Sequence, residues 1–317
     1  MLALAGAAAP LMSATTRAEA APAAKPAAAP APAGPTVIHV FSKPMHQLSY
    51  AETAKLAADS GYGGIDYTVR KAQGHVLPEN VAEDLPRAVE AAHAAGLKVE
   101  MITTDIVSVR DPHAEKLLRA ASKAGVKFYR FGSWNYDHKL GILGTLEKMQ
   151  PDFKELAALN ASLGIHGAIQ NHSGARVGSA VWDLHYLLKD LDPRAIGVQY
   201  DIRHGVCEGG QSWPLAIRLL APWIRCTDMK DSRWAQSPGK ALVENTPLGE
   251  GIVPLDAYLK LLKELKISGP MSMHLEYPPF EKNPMPLTKA GQIAQFEPAM
   301  KKDLDVLKAA MARNGVV

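Results

Sequence analysis

The sequence predicts a single-domain (β/α)8 TIM barrel, and three observations carry the prediction. After residue 35, apolar and β-branched runs of five to seven residues alternate with stretches of helical spacing, eight times over. Four of those helical stretches close on a glycine just before the next run, at Gly61, Gly96, Gly125 and Gly164, as expected where a helix turns back into a parallel strand. No run leads into the G-x-G-x-x-G or Walker-type loop of a doubly wound sheet. Eight such units close more naturally into a barrel than into an open sheet.

In order, the predicted strands are residues 36–41 (TVIHVF), 64–69 (GIDYTV), 98–104 (KVEMITT), 127–131 (KFYRF), 165–170 (IHGAIQ), 196–201 (IGVQYD), 223–229 (WIRCTDM) and 271–276 (MSMHLE). Helical spacing covers residues 48–60, 78–95, 113–124, a stretch ending near 163, then 179–190, 214–220, 255–265 and 296–313. Trp182 and Trp213 open helices and Trp223 opens a strand, so all three are expected in the core.

The first 35 residues differ in kind from the rest. Residues 2–14 (LALAGAAAPLMSA) are apolar but too short and Ala-rich for a membrane span. Ala18-Glu19-Ala20 is a small-x-small pattern, so residues 1–20 read as a signal peptide and the protein as exported and periplasmic. No Lys or Arg precedes Arg17, so the basic start of that signal is missing, as it would be if the true start lay upstream. Residues 21–35 (APAAKPAAAPAPAGP) read as a stiff Ala/Pro-rich linker, and residues 36–317 as the barrel.

Charge narrows the partners. Lys and Arg total 35 against 32 Asp and Glu, and the basic residues sit singly between acidic ones. This argues against nucleic acid and for a small-molecule partner, with homo-oligomerisation left open. Cys207 and Cys226 are too few for a disulfide scaffold and read as thiols before a single disulfide.

In a barrel of this kind the C-terminal strand ends carry the chemistry. Here they give His39 and Ser42-Lys43, Asp66 and Arg70, Thr103-Thr104-Asp105, and Arg130 with Ser133-Trp134. The second half gives Gln170-Asn171-His172, Asp201 with His204, Asp228 with Lys230-Asp231, and His274 with Glu276. Each carboxylate or imidazole there must be hydrated or paired. One alone is unremarkable, but their convergence on consecutive strands points to a site.

These positions resemble the motifs of the xylose-isomerase-like superfamily of sugar isomerases and epimerases, which also holds dehydratases and an endonuclease branch. Gly61-Tyr62-Gly63-Gly64-Ile65-Asp66 is similar to that family's GY-x-GIE turn and strand. Gln170-Asn171-His172 resembles E-N-H, Asp201-Ile202-Arg203-His204 resembles D-x-x-H, and Asp228-Met229-Lys230-Asp231 resembles H-x-K-D. Leu248-Gly249-Glu250-Gly251-Ile252-Val253 and His274-Leu275-Glu276 follow in the family's order.

The resemblance implies a divalent metal held at Gln170, Asp201, Asp228 and Glu276. Two of these positions depart from the pattern, with Gln170 for Glu and Asp228 for His. An all-oxygen set suits Mn²⁺ or Mg²⁺ better than zinc. An amide at 170 cannot take a proton, so the family's symmetric pair of carboxylate bases is not available. The expected catalytic groups are Glu276, His204, Lys230 and His172, with Trp134, Arg233 and His274 toward substrate. Trp234, in a presumed loop, could also stack on a sugar ring.

The implied function is that of a sugar isomerase or epimerase: metal-assisted proton abstraction next to a carbonyl, leading to isomerisation, epimerisation or elimination. The loss of the second Glu tilts the reading toward elimination. The alternative is a metal-free sugar-binding barrel without catalysis. Phosphoester hydrolysis, as in the endonuclease branch, would need more His and carboxylate ligands and a track for DNA.

Overall fold

The computed structural model describes residues 36–72, 74–237, 239, 242–281 and 288–316. The expected signal peptide and linker lie outside the described residues. Within them, eight parallel strands close a barrel: β1 (Ile38–Phe41), β2 (Gly64–Val69), β3 (Met101–Thr104), β4 (Phe128–Arg130), β5 (His166–Gln170), β6 (Ile196–Asp201), β7 (Ile224–Met229) and, last in the chain, β10 (Met271–Met273). β10 pairs β1 on one side and β7 on the other, which completes the ring.

Helices cover the outside: α1 (Tyr50–Asp59), α2 (Val81–Ala94), α3 (Ala114–Lys123), α4 (Gly141–Leu163), α5 (Trp182–Leu188), α6 (Ile202–Gly209), α7 (Trp213–Leu220), α8 (Leu255–Glu264) and α9 (Lys289–Asn314). Local chemistry starts α1 close to where the spacing predicted. Ser49 caps α1 by accepting from the Glu52 amide at 3.3 Å while the Glu52 carboxylate accepts from the Ser49 amide at 2.7 Å, a reciprocal pair that satisfies two otherwise unpaired N–H groups. α1 then buries Thr53, Ala54, Leu56 and Ala57.

The strands bury both faces, as a barrel demands. Every residue of β2 and of β6 is buried, yet both alternate, with Asp66, Thr68, Gln199 and Asp201 on the face opposite the apolar Ile65, Tyr67, Val198 and Tyr200. Outward residues such as Ile65, Tyr67, Ile102 and Val198 join the large core under the helices. Inside the ring, Met101, Ala168 and Cys226 pack together, with Phe128 against them. They come from β3, β5 and β7, the alternate-strand layering of a filled barrel. Cys207 and Cys226 are both free thiols.

Several elements differ from the sequence reading. α6 follows β6 with no loop between them, because Asp201 ends the strand and caps the helix at once, accepting from the His204 amide at 3.1 Å. An antiparallel hairpin of β8 (Asp231–Trp234) and β9 (Val243–Thr246) rises after β7 and was not foreseen. β10 stops at Met273, so His274 and Glu276 stand on the segment beyond it. α9 begins at Lys289 rather than 296, because Thr288 accepts from the Gly291 amide at 3.1 Å and caps it. Trp213 and Trp223 are buried as expected, but Trp182 is 54% exposed, since α5 buries Leu184, Leu187 and Leu188 instead. Among the described residues, no helix is long and apolar enough to cross a membrane.

Candidate active site

Two buried aspartates stand side by side at the C-terminal end of the barrel. Asp201 of β6 is in register with Asp228 of β7, and neither is exposed. Two like charges so placed would repel strongly in a low-dielectric interior. The neighbouring side chains meet that problem with N–H donors. Gln170, at the end of β5, donates from its one amide nitrogen to Asp201 Oδ2 at 2.9 Å and to Asp228 Oδ2 at 2.6 Å. Gln199 donates to Asp228 Oδ1 at 2.6 Å. Lys230 places Nζ 3.1 Å from Asp201 Oδ2 and 3.0 Å from Glu276 Oε2.

The orientation of Gln170 follows from its surroundings. Arg130 Nη1 donates to Gln170 Oε1 at 2.8 Å. A guanidinium can only donate and a carboxylate can only accept, so the amide oxygen faces Arg130 and the amide nitrogen faces the aspartates. Arg130 in turn lies over the Phe41 ring, 5.4 Å from its centre. His274 also stacks on Phe41, at 4.2 Å, and holds Nε2 3.2 Å from Asp228 Oδ1.

Glu276 is the most accessible of the three carboxylates. Its side chain is 16% exposed, against none for Asp201 and Asp228. Lys43 donates to its Oε1 at 2.9 Å while Lys230 donates to its Oε2 at 3.0 Å. Lys43 also reaches Glu281, at 3.0 Å. The hairpin fixes the backbone here, because Asn245 of β9 donates to the Glu276 carbonyl at 2.7 Å.

Protonation follows from these contacts. Burial would raise the Glu276 carboxyl, but Lys230, His274 and Lys43 outweigh it and hold it well below the usual range. Burial would lower the Lys230 ammonium, and Asp201 with Glu276 outweigh that, so it is raised. Glu276 and Lys230 are therefore both charged at neutral pH. Burial drives Asp201 upward, helped by Asp228 and opposed by Lys230. For Asp228, burial is outweighed by His274, Arg130 and Lys230, which bring it down.

A second group lies beside the first. The His172 and His204 rings stack at 3.9 Å. Arg203 donates to His204 Nδ1 at 2.9 Å, so that nitrogen is the acceptor and the ring proton sits on Nε2, which points toward Asp201 Oδ2 at 3.5 Å. His172 Nδ1 lies 2.9 Å from the Ser173 carbonyl, which places its proton there and leaves Nε2 as a free base. Burial lowers both rings, His172 to about 4 and His204 well below the usual imidazole range, so both are neutral at pH 7.

The structure thus gathers Gln170, Asp201, Asp228, Glu276, Lys230, His204, His172 and His274 at one end of the barrel. It adds Lys43 and Arg130, visible in the sequence only as strand-end residues, and Gln199 and Arg203, which carried no sequence signal. It does not bring Arg233 to the cluster. Arg233 is an exposed residue of the hairpin, paired with Glu244 at 3.2 Å. Trp134 packs against Phe153 at 5.4 Å and Phe131 at 6.1 Å. Trp234 is 48% exposed on the hairpin.

Lys230 and Asp231 do not form a local surface pair. Asp231 turns away and accepts from the backbone amides of Gly249, Gly251 and Val253, each at 3.0 Å. A Cβ at Gly251 would fall 2.2 Å from Asp231 Oδ1, so the glycine-rich motif is a loop wrapped on that carboxylate. A cavity of about 620 Å³ opens at the opposite end of the barrel, lined in part by Lys98, Glu100, His166 and Arg225. None of the clustered residues lines it.

Asp201, Asp228 and His274 offer ligand atoms within 4.8 Å of one another, which makes them the candidate group for a divalent cation. Their contacts do not fit one. Both Oδ2 atoms already accept from Gln170, Asp228 Oδ1 accepts from Gln199, and Asp201 Oδ1 accepts from the His204 amide. A bound Mg²⁺ needs oxygens at about 2.0–2.1 Å, and Gln170 turns its N–H groups, not its oxygen, toward that position.

Three solved structures resemble the whole barrel. The apo 3-keto-D-glucoside 4-epimerase YcjR from E. coli is 12% identical with a TM-score of 0.63, over 86% of this chain and 99% of that one. The probable 3-DHS dehydratase AsbF from Bacillus anthracis is 14% identical with a TM-score of 0.61, over 86% and 98%. The IOLI protein with a bound zinc atom is 17% identical with a TM-score of 0.61, over 87% and 99%. No curated protein matches the sequence. The profile of the xylose isomerase-like TIM barrel family matches residues 54–310, and the chain belongs to that family.

Proposed function

We propose that this protein is a carbohydrate-processing enzyme of the isomerase and epimerase type, which removes a proton from the carbon next to a carbonyl in a sugar or keto-glycoside. The observation that carries the reading is Glu276, an ionised and partly exposed carboxylate between the ammonium groups of Lys43 and Lys230.

A base and cations in that arrangement suit the step. The proton on carbon passes to the Glu276 carboxylate, and the electron pair moves onto the carbonyl oxygen to give an enediolate. Lys230 and Lys43 stabilise the oxygen as its charge develops, without reorganising at that moment. Returning a proton to either carbon gives an isomer or epimer, and expelling a group from the next carbon gives elimination.

Gln170 cannot accept a proton, so a second carboxylate base on that side is absent. His172 Nε2 carries no proton to give, so the proton that Glu276 has taken is the one returned, to the neighbouring carbon. Elimination needs only a single base, and this asymmetry favours a lyase-like reaction. Similar structures carry the names of an epimerase and a dehydratase, which supports the range without choosing within it. Mg²⁺ and Mn²⁺, the ions the sequence suggested, enter no step, because protein side chains already neutralise the carboxylates.

The test is incubation with a panel of keto-sugars and 3-keto-glycosides in D₂O. Deuterium appearing next to a carbonyl supports the reading and locates the carbon. The second reading, a sugar-binding barrel without catalysis, is favoured by the complete pairing of Asp201, Asp228 and Glu276. It predicts binding with no exchange on any panel member. Export to the periplasm is proposed from the apolar residues 2–14 and Ala18-Glu19-Ala20, and fractionation of cells expressing the full chain checks it.

A further inference from the structure

We infer that this barrel has given up the divalent cation its family resemblance implies: the Gln170 amide and the Lys230 ammonium hold Asp201, Asp228 and Glu276 together in its place. The inference concerns what neutralises the carboxylates, and it stands whichever reaction the site carries out.

The argument begins with position 170. A glutamate there would bring a carboxylate against Asp201 and Asp228, and such a group needs a cation at its centre. Gln170 instead spends both amide hydrogens on the two aspartates, at 2.9 and 2.6 Å. Flipping the amide to offer its oxygen to a metal would set its N–H groups against the Arg130 guanidinium, now 2.8 Å from Oε1. Arg130 thus locks the orientation that excludes the ion.

Lys230 supplies the charge. Its Nζ lies 3.1 Å from Asp201 and 3.0 Å from Glu276, and the side chain is only 5% exposed. The family pattern also has a lysine here, so the departures are the amide at 170 and the carboxylate at 228. That carboxylate accepts from Gln170 and Gln199 and lies 3.2 Å from His274 Nε2. Buried carboxylates are retained only when paired and hydrogen-bonded, and here protein groups meet both requirements.

The experiment reads metal rather than turnover. Purified full-length protein is analysed for bound metals, titrated with Mn²⁺ by electron paramagnetic resonance, and melted with and without EDTA or millimolar Mn²⁺. Wild type should carry far less than one divalent ion per chain, bind no Mn²⁺, and melt at the same temperature throughout. Gln170→Glu should acquire Mn²⁺ binding and melt about 5 °C higher with the ion at a hundredfold excess over its Kd. Wild type that holds about one ion per chain and melts lower after chelation would overturn the inference. A Gln170→Glu variant as indifferent to Mn²⁺ as wild type would overturn the role given to Gln170. The wild-type measurements decide the main point even if the variant does not fold.

Discussion

Gln170 bridges Asp201 and Asp228 through a single amide nitrogen, while Arg130 holds its oxygen from the other side. Removing that bridge should be costly. Gln170→Leu leaves two adjacent buried carboxylates without a shared donor and Arg130 without an acceptor. The expected loss is about 3 kcal/mol of folding stability, read from urea unfolding at pH 7. A change of a few tenths would mean that the bridge contributes little.

Lys230→Met removes the ammonium between Asp201 and Glu276. If Lys230 stabilises the developing oxyanion, kcat falls by about a hundred- to a thousandfold. Without that positive charge the Glu276 carboxyl also rises, so the acid limb of the pH–rate profile moves toward neutral pH. Lost rate with an unmoved limb would separate Lys230 from Glu276.

Asp66 lies on β2 beneath the site and accepts from Thr103 at 3.1 Å and Ser272 at 2.8 Å. Burial raises its carboxyl to about 6, against partial compensation from His274 and Arg130. An acid raised in this way binds its proton more tightly when folded, so it costs stability as pH rises from about 4 to 6 and keeps that cost above. Asp66→Asn should therefore stabilise the protein at pH 7 by about 1–3 kcal/mol. The gain should vanish below about pH 4. Equal stability of variant and wild type at pH 7 would contradict the account of Asp66.

The barrel was legible because periodicity and helix-ending glycines are local signals, each read within a dozen residues. The strand-end rule likewise placed Asp201, Asp228, Lys230 and Glu276 near one another from order alone. What the sequence did not show was which way groups face. The Gln170 amide orientation depends on Arg130, forty residues away, and the pairing of Glu276 depends on Lys43, at the far end of the chain. Arg233 was expected toward substrate, but it stands on the hairpin, exposed and paired with Glu244. Trp182 was placed in the core because it opens a helix, but that helix buries its leucines instead.

Acid should unfold the protein earlier than its carboxylates alone would require. Burial lowers His39 to about 4 and His166 to about 3. A histidine lowered in this way contributes stability above the unfolded value of about 6.5, lost as pH falls through the folded value. His172 acts in the same direction, while Asp66 and Asp303, both raised to about 6, oppose it. The imidazoles outnumber them, so the urea midpoint should fall from pH 6.5 to 4. A midpoint that rises over that range would contradict this.

The central claim is that Glu276 removes a proton from carbon. The most direct measurement compares wild type with Glu276→Gln in D₂O on whichever keto-sugar or 3-keto-glycoside is turned over, following deuterium incorporation by NMR. The account predicts exchange next to the carbonyl with wild type and a loss of at least about a hundredfold with Glu276→Gln, while circular dichroism shows both folded. Exchange at the wild-type rate by folded Glu276→Gln would contradict it.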